Sequence, residues 1–132
     1  GSVEVATTVT GLPISALGGT TVQGFVEFSN LGANDALDVT YSVLLASSGS
    51  IPVNIDITGL PPGASFSYDS NTGLVTFTNM PDTLVSGRVI ALAISYDTPV
   101  AETVVIELSS EIATSSADGI VSNNSDSGDT AV

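Results

Sequence analysis

Cysteine, histidine, lysine and tryptophan are all missing from this 132-residue chain, and arginine occurs once, as Arg88. Without cysteine there can be no disulfide and no thiolate metal centre. Without histidine the commonest general base and the commonest zinc ligand are gone. Without lysine, the Lys–Asn or Lys–Asp isopeptide bond that strengthens some surface-stalk domains cannot form. One basic side chain against 14 acids leaves a formal charge of −13. Nucleic acid and anionic membrane need basic contacts, so neither is expected as a partner; cations are attracted instead. Long apolar runs are lacking as well. None nears the ~18 residues of a membrane-spanning helix, so direct membrane insertion is not expected, and no signal-peptide pattern is read. Phosphate-cradling GxGxxG and GxxxxGK motifs are absent. A hydrolase would have to rely on paired carboxylates or an unusual Ser or Thr, and no acids sit in a recognisable catalytic motif. Acids on outward strand positions, such as Glu27, Asp38 and Asp56, read as a solvated face. The expectation is a protein that is not an enzyme.

What is present points to β structure. Apolar residues make up 42% of the chain and charged residues 11%, the reverse of a disordered composition. The apolar part is rich in Val and Ile, which favour strands. Alternation with a period of two recurs. Val22, Gly24, Val26 and Phe28 share one face of "TVQGFVEFS", with Gln23, Glu27 and Ser29 on the other. The same pattern turns Leu37, Val39, Tyr41, Val43 and Leu45 inward, then Ile51, Val53, Ile55 and Ile57. It does so again for Ile90, Leu92, Ile94 and Tyr96, and for Val104, Ile106 and Leu108. Phe25 interrupts the polar face of its run; contact with a neighbour or a ligand is one reading, but a lone exposed apolar side chain needs no such explanation. Tyr41, Tyr68 and Tyr96 lie in strand runs, as core or sheet-edge residues.

Turn chemistry separates the runs: "NLGAND", "SSGS", "GLPPG", "DSNTG", "MPDTLVSG" and "DTP". The "DSNTG" stretch predicts a hairpin. Nine strands are expected, at about 3–9, 20–29, 36–46, 51–58, 64–69, 73–79, 87–97, 102–114 and 126–132. The fold class is therefore all-β, an antiparallel immunoglobulin-like sandwich of about seven to nine strands, with a closed barrel as the alternative. Gly1-Ser2 reads as a cloning scar, and residues 3–132 as a single module of a chain expected to extend further at both ends.

Three segments carry a family resemblance: residues 26–45, residues 59–99 and residues 112–132. Asn30-Leu31-Gly32, Leu60-Pro61-Pro62-Gly63, and Asp118 with Asn123-Asn124 are similar to a conserved immunoglobulin-like repeat of bacterial and archaeal surface proteins, a family of unknown function. The stretch "GLPPG…DSNTGLVTF" also resembles repeats of giant adhesins, while extra residues around 46–58 depart from the pattern. The resemblance implies a tandem module in a large secreted or surface-anchored protein, with neighbouring domains of the same chain as partners and an extracellular location.

One stretch invites a chemical reading. "ADGIVSNNSDSGD" (117–129) sets Asp118, Asn123, Asn124, Asp126 and Asp129 around two glycines. In an immunoglobulin-like topology this loop lies beside "NLGAND", bringing Asn30, Asn34 and Asp35 to the same pole. Calcium takes six to eight hard oxygens from such groups, so a calcium site is one reading of these eight residues. Asp126 and Asp129 lie further along, towards a junction with a following domain. Plain turn chemistry is the other reading, since Asn and Asp cap their own backbone and no EF-hand spacing is present. Two functions follow as expectations. One is a stalk or extender module, stabilised by calcium if that site is real, and monomeric in isolation. The other is a terminal module that grips a glycan or protein through calcium.

Overall fold

Residues 2–132 are described by a computed structural model; Gly1 of the expected cloning scar lies outside the described residues. The alternating runs become nine strands: β1 (Val5–Thr10), β2 (Thr21–Asn30), β3 (Thr40–Ser47), β4 (Val53–Thr58), β5 (Ser65–Asp69), β6 (Leu74–Thr78), β7 (Val89–Asp97), β8 (Val105–Ala113) and β9 (Ser125–Ala131). They form a four-stranded sheet, β1-β2-β7-β4, and a five-stranded sheet, β5-β6-β3-β8-β9. Every ladder is antiparallel. Among the described residues no ladder joins the two sheets, so the architecture is an immunoglobulin-like sandwich rather than a closed barrel. The hairpin expected at "DSNTG" is β5–β6, and it widens the β3-β8-β9 sheet by two strands. The segment noted as extra holds β4, which crosses to the edge of the other sheet.

Period-two alternation holds because each sheet buries one face. Val22, Val26 and Phe28 of β2, with Ile90, Leu92, Ile94 and Tyr96 of β7, meet Val43 and Leu45 of β3 and Ile106, Leu108 and Ile112 of β8. Each such side chain contributes about 1.5–3 kcal/mol on burial. Phe28 anchors the aromatic part of this core, with Tyr41 and Phe77 edge-on at 5.2 and 6.3 Å.

Two inward assignments fail for a shared reason. Leu37 is 51% exposed and Val53 49% exposed. Each adjoins a non-glycine residue at positive φ, Asp38 at 51° and Asn54 at 55°. A left-handed residue breaks the pleat and resets which side faces inward. Before Asp38, Ala36 is buried in a lone bridge to Leu84, and β3 begins only at Thr40. At Asn54 the pairing with β7 shifts register, and Pro52 is buried in place of Val53.

The register also fixes two poles. Val5 pairs with Asn30, Ser29 with Val89, and Val3 bridges Asp118, so these ends share what we term the N-terminal pole. Thr21 pairs with Asp97, Val105 with Ala131, and Ser15 bridges Ala131, defining the C-terminal pole. No helix among the described residues is long and apolar enough to cross a membrane.

Candidate functional site

The N-terminal pole gathers the loop after β2, the loop before β7 and the loop before β9 around the lead-in to β1. The "NLGAND" and "ADGIVSNN" loops do lie at one pole, with Ser2–Glu4 threaded between them. Leu31 N–H donates to Glu4 O (2.7 Å) and Asn34 Nδ2 to Ser2 O (3.3 Å) on one side. On the other, Val3 N–H donates to Ala117 O (2.9 Å) and Gly119 N–H to Val3 O (3.2 Å).

The side chains of this pole bond mostly to backbone, and otherwise to one another. Asn30 is fully buried; its Nδ2 donates to Asn34 O (2.8 Å) and Leu84 O (2.9 Å), and its Oδ1 accepts from Gly32 N–H (3.0 Å). Glu4 N–H reaches the same oxygen at 3.4 Å. Asp35 Oδ1 accepts from Ser86 N–H (2.9 Å). Asp118 closes a turn by accepting from Ile120 N–H (3.1 Å), while its second oxygen accepts from Asn124 Nδ2 (2.9 Å). The Asn123 amide is ringed by oxygens. Facing the loop, its nitrogen donates to Ile120 O (2.7 Å), Val5 O (3.2 Å) and Asn124 Oδ1 (3.2 Å); turned over, it donates to Glu4 Oε1 at 3.3 Å. The first orientation satisfies more acceptors, and it puts an amide N–H where the carbonyls converge.

Asp126 and Asp129 stand apart from the other six. Asp126 lies on β9 at the seam between the sheets, where its Oδ2 accepts from Val9 N–H (2.7 Å). That seam is also closed by a buried Thr7–Ser110 hydroxyl pair at 2.6 Å and by Thr7 N–H donating to Asn123 O. Asp129 is exposed on β9 opposite Glu107, nearer the C-terminal pole. Among the described residues no group of three or more Asp and Glu side chains is placed to hold a metal ion.

Sequence reasoning missed the buried clamp of the C-terminal pole. Thr98 Oγ1 accepts from Thr20 N–H (3.0 Å) and donates to Leu17 O (2.9 Å), tying "DTP" to the loop before β2. Below it, Asp97 accepts from Thr21 Oγ1 (2.7 Å) and Asn54 Nδ2 (2.8 Å), and these two bonds hold its carboxyl below the usual range. Thr98 carries no special sequence signal, because its partners lie some 80 positions away.

No family model matches the chain, and no curated protein matches it. Among the solved structures that match, two share its fold over nearly the whole chain. The CARDB domain of a Pyrococcus furiosus protein, solved in solution, matches with a TM-score of 0.62 at 12% identity, over 99% of this chain and 95% of that one. AvmM, which catalyzes macrocyclization in alchivemycin A biosynthesis, matches with a TM-score of 0.57 at 11% identity, over 98% and 88%. At such identities the likeness is one of fold.

Proposed function

We propose that the chain is a non-catalytic extender: one rigid sandwich in a tandem array of a large secreted or cell-surface protein, of the adhesin type. The observation that carries this reading is the course of the chain between the poles. Ser2–Glu4 lie at the N-terminal pole, and Val132 lies at the C-terminal pole, where its N–H donates to Val104 O (2.8 Å). A chain threaded in this way adds the long axis of the sandwich with every copy. The ten-residue β2 alone is about 33 Å long.

The distribution of apolar surface supports contact between poles. Ile14, Leu17 and Val100 stand exposed at the C-terminal pole. Leu31, Leu37, Val85, Ile120 and Val121 stand exposed at the other. Both clusters sit where a neighbouring domain would abut, and a net charge of −13 keeps parallel fibres apart. This reading stands with or without calcium, since its mechanics rest on the packed sandwich and the course of the chain between the poles.

Small-angle scattering from the single domain and from two copies joined end to end tests the proposal. The maximum dimension should grow by about one long axis, with a stiff joint. Substituting Leu17 and Val121 by Ser should loosen it. A joined pair that folds side by side, or swings freely with or without those substitutions, would sink the extender reading.

A further inference from the structure

The outer face of the four-stranded sheet carries a feature that an extender does not need. Across β1, β2, β7 and β4, Thr10, Phe25, Ala93 and Thr58 form one row. Glu27 and Ala91 form the next row towards the N-terminal pole. Gln23, Ser95 and Asp56 form the row on the other side. The first two rows line an open trough of about 450 Å³, formed by Thr10, Phe25, Glu27, Thr58, Ala91 and Ala93, with the third row beside it. Its volume falls at the low end of the range for ligand clefts.

Three properties define what fits. The first is an aromatic ring in an unusual place. Phe25 is 44% exposed, the one exposed aromatic side chain among the described residues. It leans on Gly11, where an added Cβ would come within 2.6 Å of the ring. The second is headroom. Alanines floor the trough, and Gly59 at its rim can bear no side chain: φ is 93° and an added Cβ would strike Ala91 O. The third is charge. Glu27 and Asp56 lie on this face. The single cation of the chain, Arg88, sits at the N-terminal pole, where it acts on Tyr41.

We propose that this trough docks a basic segment of a partner protein, with an arginine or lysine head group laid over Phe25 and against the Glu27 carboxylate. Phe25 and Glu27 are two apart on one strand face, about 7 Å, a span that a planar guanidinium on its flexible stem bridges. The ring attracts a cation through its quadrupole, the carboxylate pairs with it, and Thr10 and Thr58 offer hydroxyls to the remaining N–H groups. An acidic partner is excluded by the same charges. The chain's overall negative field speeds the approach of a basic one. This inference is independent of the extender reading.

The test is an NMR titration of the folded chain with acetylated tri-arginine amide. Acetylated tri-glutamate amide and a neutral disaccharide, maltose, serve as comparisons. Tri-arginine should shift Thr10, Phe25, Glu27, Thr58, Ala91 and Ala93, and the effect should fade as salt rises. Phe25→Leu, which keeps an apolar group but removes the ring, should weaken binding about two- to fivefold. Glu27→Gln should weaken it further, and Glu107→Gln, on the other sheet, should not change it. Shifts spread evenly over all acidic surfaces, and indifferent to Phe25→Leu and Glu27→Gln, would overturn the proposal. So would a response of the trough to maltose rather than tri-arginine, or trough shifts that follow protein concentration alone, the sign of a second copy.

Discussion

Asn30 at the N-terminal pole and Thr98 at the C-terminal pole occupy equivalent places. Both are buried polar side chains, one ending β2 and the other just past its neighbour β7. Their reach differs. The Asn30 amide offers two donors and an acceptor, and it holds Gly32, Asn34 and Leu84 at once. The Thr98 hydroxyl holds the Leu17–Thr20 turn. An asparagine at a pole dense in acids invites a metal-ligand reading, yet it serves the same purpose as a threonine at a pole with few. Each satisfies backbone groups that a strand end would otherwise bury unpaired.

Substitutions at Asn30 should have the largest effect and separate the two readings cleanly. Asn30→Ala leaves the carbonyl of Asn34 and the N–H of Gly32 without partners, and it removes one of the two donors to Leu84 O, which keeps Ala36 N–H. A loss of about 3 kcal/mol in urea unfolding is expected. Asn30→Asp is the sharper test. A metal ligand would tolerate or welcome the carboxylate, whereas a clamp would suffer from a charge aimed at two carbonyl oxygens. The clamp predicts that Asn30→Asp is at least as damaging as Asn30→Ala at neutral pH. A mild Asn30→Asp, stabilised further by calcium, would restore the metal reading.

Thr98→Val keeps the shape and removes the hydroxyl, so a loss of about 1–2 kcal/mol is expected. Thr98→Ser should retain most of the stability. If Thr98→Val cost as much as Asn30→Ala, the two poles would not differ in the way their hydrogen bonds suggest.

How much of this was legible in the sequence depends on distance along the chain. All nine strands follow from local alternation and turn residues, and so does the exposed position of Phe25. The errors at Leu37 and Val53 come from single residues, Asp38 and Asn54, whose left-handed backbone is an option for Asx residues but not a requirement. The pole was legible as a place, because immunoglobulin-like connections put "NLGAND" and "ADGIVSNN" together. The job of Asn30 was legible only in part, because its bonds to Gly32 and Asn34 are local while the donation to Leu84 O spans 54 positions. A residue type can announce an oxygen-rich turn, but a partner such as Ser86, 51 positions from Asp35, cannot be read from it.

Tyrosines extend the comparison of the poles to pH. Tyr41 donates to Pro81 O (2.7 Å) near the N-terminal pole, and Tyr68 donates to Pro52 O (2.7 Å) towards the other. Burial pushes Tyr41 up to about 12, opposed by the nearby Arg88 charge, and burial also raises Tyr68. Below pH 10 both are protonated, folded or unfolded, and their contribution is whole. Above it the unfolded chain loses these protons while the folded chain keeps them, so stability falls from about pH 10 towards 12. Tyr41→Phe should cost about 1 kcal/mol at neutral pH and flatten the alkaline loss. An alkaline profile identical in Tyr41→Phe and the parent chain would place the titrating group elsewhere.

Calcium gives the smallest expected effect and the most direct check on how the N-terminal pole is closed. Thermal melts in EDTA, in excess magnesium and in millimolar calcium should coincide, because Asn30, Asp35, Asp118 and Asn123 already serve backbone groups. For an ion to enter, Asn123 would have to turn its oxygen inward and give up its bonds to Ile120 O, Val5 O and Asn124 Oδ1. A site filled at a hundredfold excess over its Kd would add about 2.7 kcal/mol, which raises Tm by several degrees in a domain of this size. A calcium-specific rise of that order, abolished by Asn123→Ala but not by Asp129→Ala, would mean that the amide N–H only stands in for a cation. In that case the stiffness of a joint built on this pole would follow the calcium concentration around it.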